Sequence, residues 1–573
     1  MDGHFQPYEA RIYLREVASL LTKFPTKGSK GVRFVYYTDT PADSVALAGT
    51  FNNWNDDRNY MNRMEDGTGW EIELPILKGR HLYKFVVDGE AWIVDPLNPS
   101  ISEDGQNNSA ITVTENGDVL IRTNEISKHH PGYMYENFTA LSSPEWLKKS
   151  VIYELHLRAF TENGFRGLAE KLNYFKKMGI NTLWLMPFNE VGHERRVGKY
   201  GDPYAVKDFY SIDPQFGTKE DLSFFMREAH ANGIRVVLDW VLNRASFDHI
   251  LTETHPEYFT HNEQGEIYYD VPHREYFAGL EFSSRDMRKY VIEAMKYWIS
   301  EFDFDGIRLD DSDITPYDFL TEIKRALQEV KTDLILISQS YDEYHHLESC
   351  DLTYNGNPRI LIRQMIDRTI TQTDFITIYN SYKYSFPKNA LRMNWLEDKE
   401  QSRIGEYLGI EHAEPAASIL LTLEGVPLIM MGQEFNEHTM ETWASLFDEY
   451  KLNWDSFDTG MFEHYKFLTR LRTSQPAFWA GELEFVRNSE NMVLSFIRQH
   501  EGVKFLIIVN LSEDSVLVQL DQAADEFIKD RSNMLYRTGR DDLHAEKDGS
   551  ALGVNSYETI LYKMGECMKE EGL

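Results

Sequence analysis

Residues 233–246 read GIRVVLDWVLNRAS, a glycine followed by a short, almost continuous aliphatic run that ends in polar side chains. Such a run fits a strand covered on both faces, as in a parallel sheet, provided that amphipathic helices flank it. Upstream, Leu222, Phe225, Met226 and Ala229 recur at helical spacing, and Thr218 with Asp221 three residues on has the pattern of a capping box. Gly233 stands where that helix would hand over to the strand, and Gly179 does the same one unit earlier, behind Leu168, Leu172 and Phe175. Downstream, Met287, Val291, Met295, Trp298 and Phe302 mark a further helix face.

The same texture extends in both directions. Strand-like runs recur as VIYELHL (151–157), INTLWLMP (180–187), IRVVLDWV (234–241), DGIRLDD (305–311), LILISQS (334–340), CDLTYNG (350–356), LRMNWLE (391–397) and VPLIMMG (426–432). Eight strands with interleaved helices predict an α/β fold, a (β/α)8 TIM barrel whose site lies at the C-terminal strand ends. The barrel is expected over 146–478, with an excursion at 244–284 that is too long for a standard βα loop. Before it, VRFVYY, SVALAG, GWEIELP, HLYKFVVDG and SAITV alternate with Gly, Asn, Asp and Pro, which predicts an N-terminal β-sandwich over 31–115. Residues 1–30 form an N-terminal segment and 116–145 a linker without periodicity. After 479, MVLSFIRQ, VKFLIIVNLS and SVLVQL return to period two and predict a C-terminal β-domain over 479–573.

Composition excludes several classes. Lys+Arg 59 against Asp+Glu 92 in 573 residues gives a net charge of −33, a field that repels phosphate backbones and anionic lipid, so no nucleic acid or membrane partner is expected. The N-terminus lacks a basic start followed by an apolar run, and no stretch reaches the ~18 apolar residues of a membrane span, so the expected location is cytoplasmic. Cys350 and Cys567 are far apart and lack metal-ligand spacing; neither a disulfide framework nor a metal site is expected.

GDPYAVKDFYSIDPQFGTKEDL (201–222), GIRVVLDWVLNRAS, FDFDGIRLD (302–310) and GVPLIMMGQE (425–434) together resemble the α-amylase family, glycoside hydrolase family 13, in order and approximate spacing. VALAGTFNNWND (45–56), YKFVVDGEAWIVDPLNP (83–99) and GQNNSAITV (105–113) resemble a glycogen- or starch-binding module, carbohydrate-binding module family 48. That second resemblance places Trp54, Lys84, Trp92 and Asn108 at glucan-contacting positions. Indoles stack on pyranose faces while amide and ammonium groups bond hydroxyls.

Retaining hydrolysis needs one carboxylate as nucleophile and a protonated carboxyl about 5–5.5 Å away as acid. The resemblance puts the nucleophile at Asp310, with Arg308 two residues earlier on the same strand face. It puts an aromatic platform under the reacting sugar at Tyr204, and Asp239 and Asn243 keep the third-strand pattern. The acid position, however, holds Gln339, and an amide cannot release a proton at ordinary pH. Where the family carries Asn-His-Asp after the seventh strand, this chain has Asp398, Lys399 and Glu400, and Arg244 replaces a sugar-binding histidine. Gln339, Arg244 and Lys399 each add a positive unit relative to that pattern and Asp398 removes one, which suggests an anionic sugar.

The resemblance therefore implies an α-glucan-recognising protein, of starch, glycogen or malto-oligosaccharide type, whose hydrolysis is impaired or absent: a pseudoenzyme. The alternatives are an active retaining hydrolase or glucanotransferase with a displaced acid, for which Asp342 and Glu343 are the nearby carboxyls, and a non-catalytic scaffold of glycogen metabolism. No cofactor is required, although some relatives hold calcium near the position of Asn243.

Overall fold

The computed structural model describes residues 25–565 except 39–41, 65–66, 68, 99, 103–107, 115, 122–137, 439–443, 522–523 and 540–550. Most of the expected N-terminal segment and linker, part of the motif at 105–113, and Cys567 lie outside the described residues.

Eight strands, β1 (Ile152–Leu155), β2 (Thr182–Leu185), β3 (Arg235–Trp240), β4 (Gly306–Leu309), β5 (Ile335–Ser338), β6 (Leu352–Asn355), β7 (Leu391–Asn394) and β8 (Val426–Met430), pair in parallel and close with β8 on β1. Alternation along each strand sorts the side chains into two layers. Ile152, Trp184, Val237, Leu352, Met393 and Leu428 fill the interior, while Tyr153, Leu155, Leu183 and Leu185 face the surrounding helices. The helix Lys219–Ala231 begins with the expected capping box at Thr218 and Asp221, and Gly179 and Gly233 take the left-handed φ values of 92° and 73° that end their helices. Within the excursion, Arg244–Ser246 pairs antiparallel with Phe277–Gly279.

The N-terminal module consists of two antiparallel sheets, one built on Val32–Tyr36 and Trp70–Leu74, the other on Val45–Gly49, Gly79–Val87 and Ser109–Val113. Phe34, Leu47, Tyr83, Phe85 and Ile111 fill the space between them. Two-residue strands at Thr26–Lys27 and Val119–Leu120 belong to the same body, so the module extends past both expected edges; strands that short carry no alternation to read. The C-terminal body is a five-stranded antiparallel sheet with a smaller two-stranded one. Its hairpin Val493–His500/Val503–Asn510 turns on Glu501-Gly502, both at positive φ, the geometry that matches the twist of its strands.

Two buried arginines, Arg472 of the helix Thr459–Ser474 and Arg498 of the C-terminal sheet, bond the segment that leads into β8. Arg472 Nη1 donates to the carbonyls of Leu421 and Leu423 at 3.2 and 3.0 Å, and its Nη2 to that of Gly425. Arg498 donates to the carbonyls of Thr422 and Gly481 at 2.8 and 3.1 Å.

The module is fastened to the barrel at two places. Arg58 pairs with Asp270 of the excursion at 2.7 Å, and Asn55 donates to the same carboxylate at 3.0 Å. On the other side Arg80 Nη1 donates to the Tyr341 carbonyl at 3.0 Å and its backbone N–H to Asp342 at 3.1 Å, while Thr112 donates to Glu343 at 2.8 Å. Gly79, at φ 131°, permits this approach, since a Cβ there would lie 2.9 Å from the Asp342 carboxylate. Among the described residues no helix is long and apolar enough to cross a membrane.

Candidate active site

Register brings the chemistry together at the C-terminal ends of the strands. Asp239 of β3 is the lateral partner of Arg308 of β4, and Leu309 that of Ser338 of β5, so Gln339 follows beside Asp310. Arg308 is fully buried and bridges two carboxylates: Nη1 lies 2.9 Å from Asp239 and bonds Asp310. Its other nitrogens reach the Tyr354 hydroxyl at 3.1 and 3.2 Å. Asp239 also accepts from Tyr204 at 2.7 Å and Trp184 at 3.1 Å.

Both oxygens at the nucleophile position are engaged. While Arg308 holds Oδ1 of Asp310, Arg244 Nη2 sits 2.5 Å from Oδ2, and Lys399 lies 3.8 Å from Oδ1. Burial alone would raise this carboxyl, but Arg244, Arg308 and Lys399 outweigh it and hold Asp310 far below the usual carboxylate range. The platform is covered as well: the Arg244 guanidinium stands 5.6 Å and the Lys399 ammonium 5.0 Å from the centre of the Tyr204 ring. Tyr204, Arg244, Asp310 and Lys399 are each under 5% exposed, so all four lie beneath the surface of the site.

Above them lies a cavity of about 410 Å³, lined by Gln339, Asp398 and Glu400 of the barrel and, across from these, by Trp54, Lys84, Trp92 and Asn108 of the module. The structure thus brings the expected module residues to the barrel's mouth. Gln339 Oε1 accepts from the Asp311 backbone at 2.9 Å, and its amide nitrogen donates to Glu400 at 3.2 Å. Lys399 bonds Glu400 at 2.8 Å.

The bonds made by these groups bear on three expectations. The positive charges read from the sequence at Arg244 and Lys399 are paired in place, Arg244 with Asp310 and Asp311 and Lys399 with Glu400. Asp342 and Glu343 are not displaced acids, because both are under the module, bonded to Arg80 and Thr112. Asn243, near whose position some relatives hold calcium, has its Oδ1 bonded by Arg244 at 2.8 Å. Sequence reasoning also missed Arg274, which pairs with Asp311 at 2.6 Å from a loop with no readable period, and Glu154. Glu154 points into the barrel with neither carboxylate oxygen bonded among the described residues, and burial raises its pKa well above the ordinary value.

Asp398 offers a test of these electrostatics. Burial, then the adjacent Glu400 charge, pushes its carboxyl up to about 6. A folded pKa above the unfolded value of about 3.9 favours the native state below pH 4 and loses that advantage as pH rises through 6. Asp398→Asn, which can still accept from the Glu400 N–H, is therefore expected to stabilise the protein by about 2–3 kcal/mol at pH 8 and by much less at pH 4.5. Paired denaturant titrations at the two pH values read the difference; an equal effect at both contradicts the assignment.

Comparison with known proteins places this site in context. Residues 161–278 match the family model described as "Alpha amylase, catalytic domain", and residues 32–119 match "Glycogen recognition site of AMP-activated protein kinase". The structure of a noncanonic maltogenic α-amylase, AmyB, from Thermotoga neapolitana superposes with a TM-score of 0.62 at 31% identity, over 73% of this chain and 97% of that one. Alpha-amylase 3 of Dictyoglomus thermophilum is 24% identical over 487 residues, 73% of this chain and 94% of its own length. A malto-oligosyltrehalose trehalohydrolase of Deinococcus radiodurans is 24% identical over 91% of this chain and 94% of its own.

Proposed function

The chain belongs to the α-amylase family, and from that premise we propose that it binds α-glucan of malto-oligosaccharide type without hydrolysing it at a significant rate. One observation carries this reading: the Asp310 carboxylate is bonded by arginine at both oxygens, and two cations, Arg244 and Lys399, stand within 5.6 Å of the centre of the Tyr204 ring. A nucleophile must approach the anomeric carbon to within about 3–3.5 Å, and a sugar must occupy the platform to bring that carbon there. Arg244 opposes both requirements. Gln339 removes the third, a proton for the departing oxygen. What persists is recognition: amide, carboxylate and indole groups facing one cavity.

Binding and turnover are separated by two assays. Calorimetry with maltoheptaose is expected to show saturable binding, while reducing-sugar assays on the same sugar stay at background. α-Maltosyl fluoride, whose leaving group needs no proton, is also expected to stay intact, because the clamp on Asp310 blocks attack as well as protonation. Fluoride release with inert maltoheptaose would mean that the clamp opens and only the acid is missing. Rapid cleavage of maltoheptaose, lost in Asp398→Asn, would replace this reading by an active hydrolase whose acid is Asp398.

A further inference from the structure

The glucan face of the module is not turned outward. Trp54 and Trp92, with ring centres 6.4 Å apart and planes 39° from parallel, line the same cavity as Gln339, Asp398 and Glu400. Trp54 rests on a small apolar patch of Ala46, Ala48 and Val86, and it is held at φ 60°, a conformation that bulky residues adopt only when their surroundings enforce it. Two separate fastenings fix this arrangement: Arg58 and Asn55 on the excursion, and Arg80 and Thr112 on the segment after β5. The module therefore straddles the mouth of the barrel.

We propose that module and barrel form one composite site that takes the end of a single linear α-glucan chain, with its terminal sugars against Gln339 and Glu400 and the next ones on Trp54 and Trp92. The inference rests on the glucan-binding reading above and adds selection for short linear chains. A cavity of about 410 Å³ has room for a few sugar units, and a closed ring has no chain end to present to its inner half. Stacking on two indoles holds the chain in the outer half, and hydrogen bonds from the amide and carboxylates hold its tip in the inner half.

The experiment is calorimetry of the full chain with linear maltoheptaose and with β-cyclodextrin, a ring of the same seven sugars without an end. Maltoheptaose is expected to bind at one site per chain, at least tenfold more tightly than the ring. Trp92→Ala and Glu400→Ala are each expected to weaken that isotherm about tenfold or more, as truncating a central contact does. Arg58→Glu, an exposed residue that does not line the cavity but would repel Asp270, is expected to weaken it too, and circular dichroism checks that each variant is folded. Equal affinity for ring and chain, or binding that Trp92→Ala abolishes and Glu400→Ala leaves unchanged, overturns the composite site while glucan binding stands. Absence of binding to both sugars overturns the functional reading itself.

Discussion

Gln339→Glu, which returns a carboxyl to the acid position, is expected to leave hydrolysis of maltoheptaose at background. A general acid contributes about 10²–10⁴ in rate, yet only where the nucleophile is free to act, and Arg244 would still bond Asp310. The new carboxylate would also stand beside Glu400, where the amide now donates a hydrogen bond. Recovery is expected only when the clamp is removed as well, in a variant combining Gln339→Glu with Arg244→His, Lys399→His and Glu400→Asp. That variant should exceed the single substitution by at least about 10²-fold in reducing-sugar release, since the effects of groups that act as a unit are not additive. Turnover by Gln339→Glu alone would falsify the clamp, because it would mean that Asp310 was available all along.

Arg308→Met is expected to be the most damaging single change to stability. The guanidinium is fully buried between Asp239 and Asp310, and removing one partner of a buried ion pair costs about 3–5 kcal/mol because the remaining charges lose their compensation. Asp239 loses its paired arginine entirely and Asp310 keeps only Arg244, so the upper end of the range or outright misfolding is expected in urea denaturation. Arg244→Met is expected to cost less, since Asp310 keeps Arg308 and Asp311 keeps Arg274. Equal losses in the two variants would contradict this hierarchy.

The barrel was legible because its strands are buried on both faces and its helices carry their own punctuation; the eight runs and the caps at Thr218, Gly179 and Gly233 are local signals. The substituted positions were legible only through the resemblance, because the family pattern says which residue each strand end is expected to carry. What those residues bond was not. Arg244 could have faced solvent, and only the approach of strand Arg244–Ser246 to Asp310 and Asp311 shows that it neutralises them. Arg274 sits in an aperiodic loop, and the roles of Asp342 and Glu343 depend on another domain's edge, a contact between segments more than 200 residues apart. Sequence periodicity reports which face of an element is covered, not which distant polar group meets its end.

The two arginines that reach from the last helix and the C-terminal sheet to the carbonyls before β8 bear on how the chain could be dissected. Those acceptors lie in the turn that delivers the closing strand, so without Arg472 and Arg498 buried oxygens would be left unbonded at the seam of the barrel. Cutting near residue 480 would leave Arg472 and its three acceptors in the first piece but strip Arg498 from the Thr422 carbonyl, so the first piece is expected to be less stable alone than joined to the C-terminal sheet.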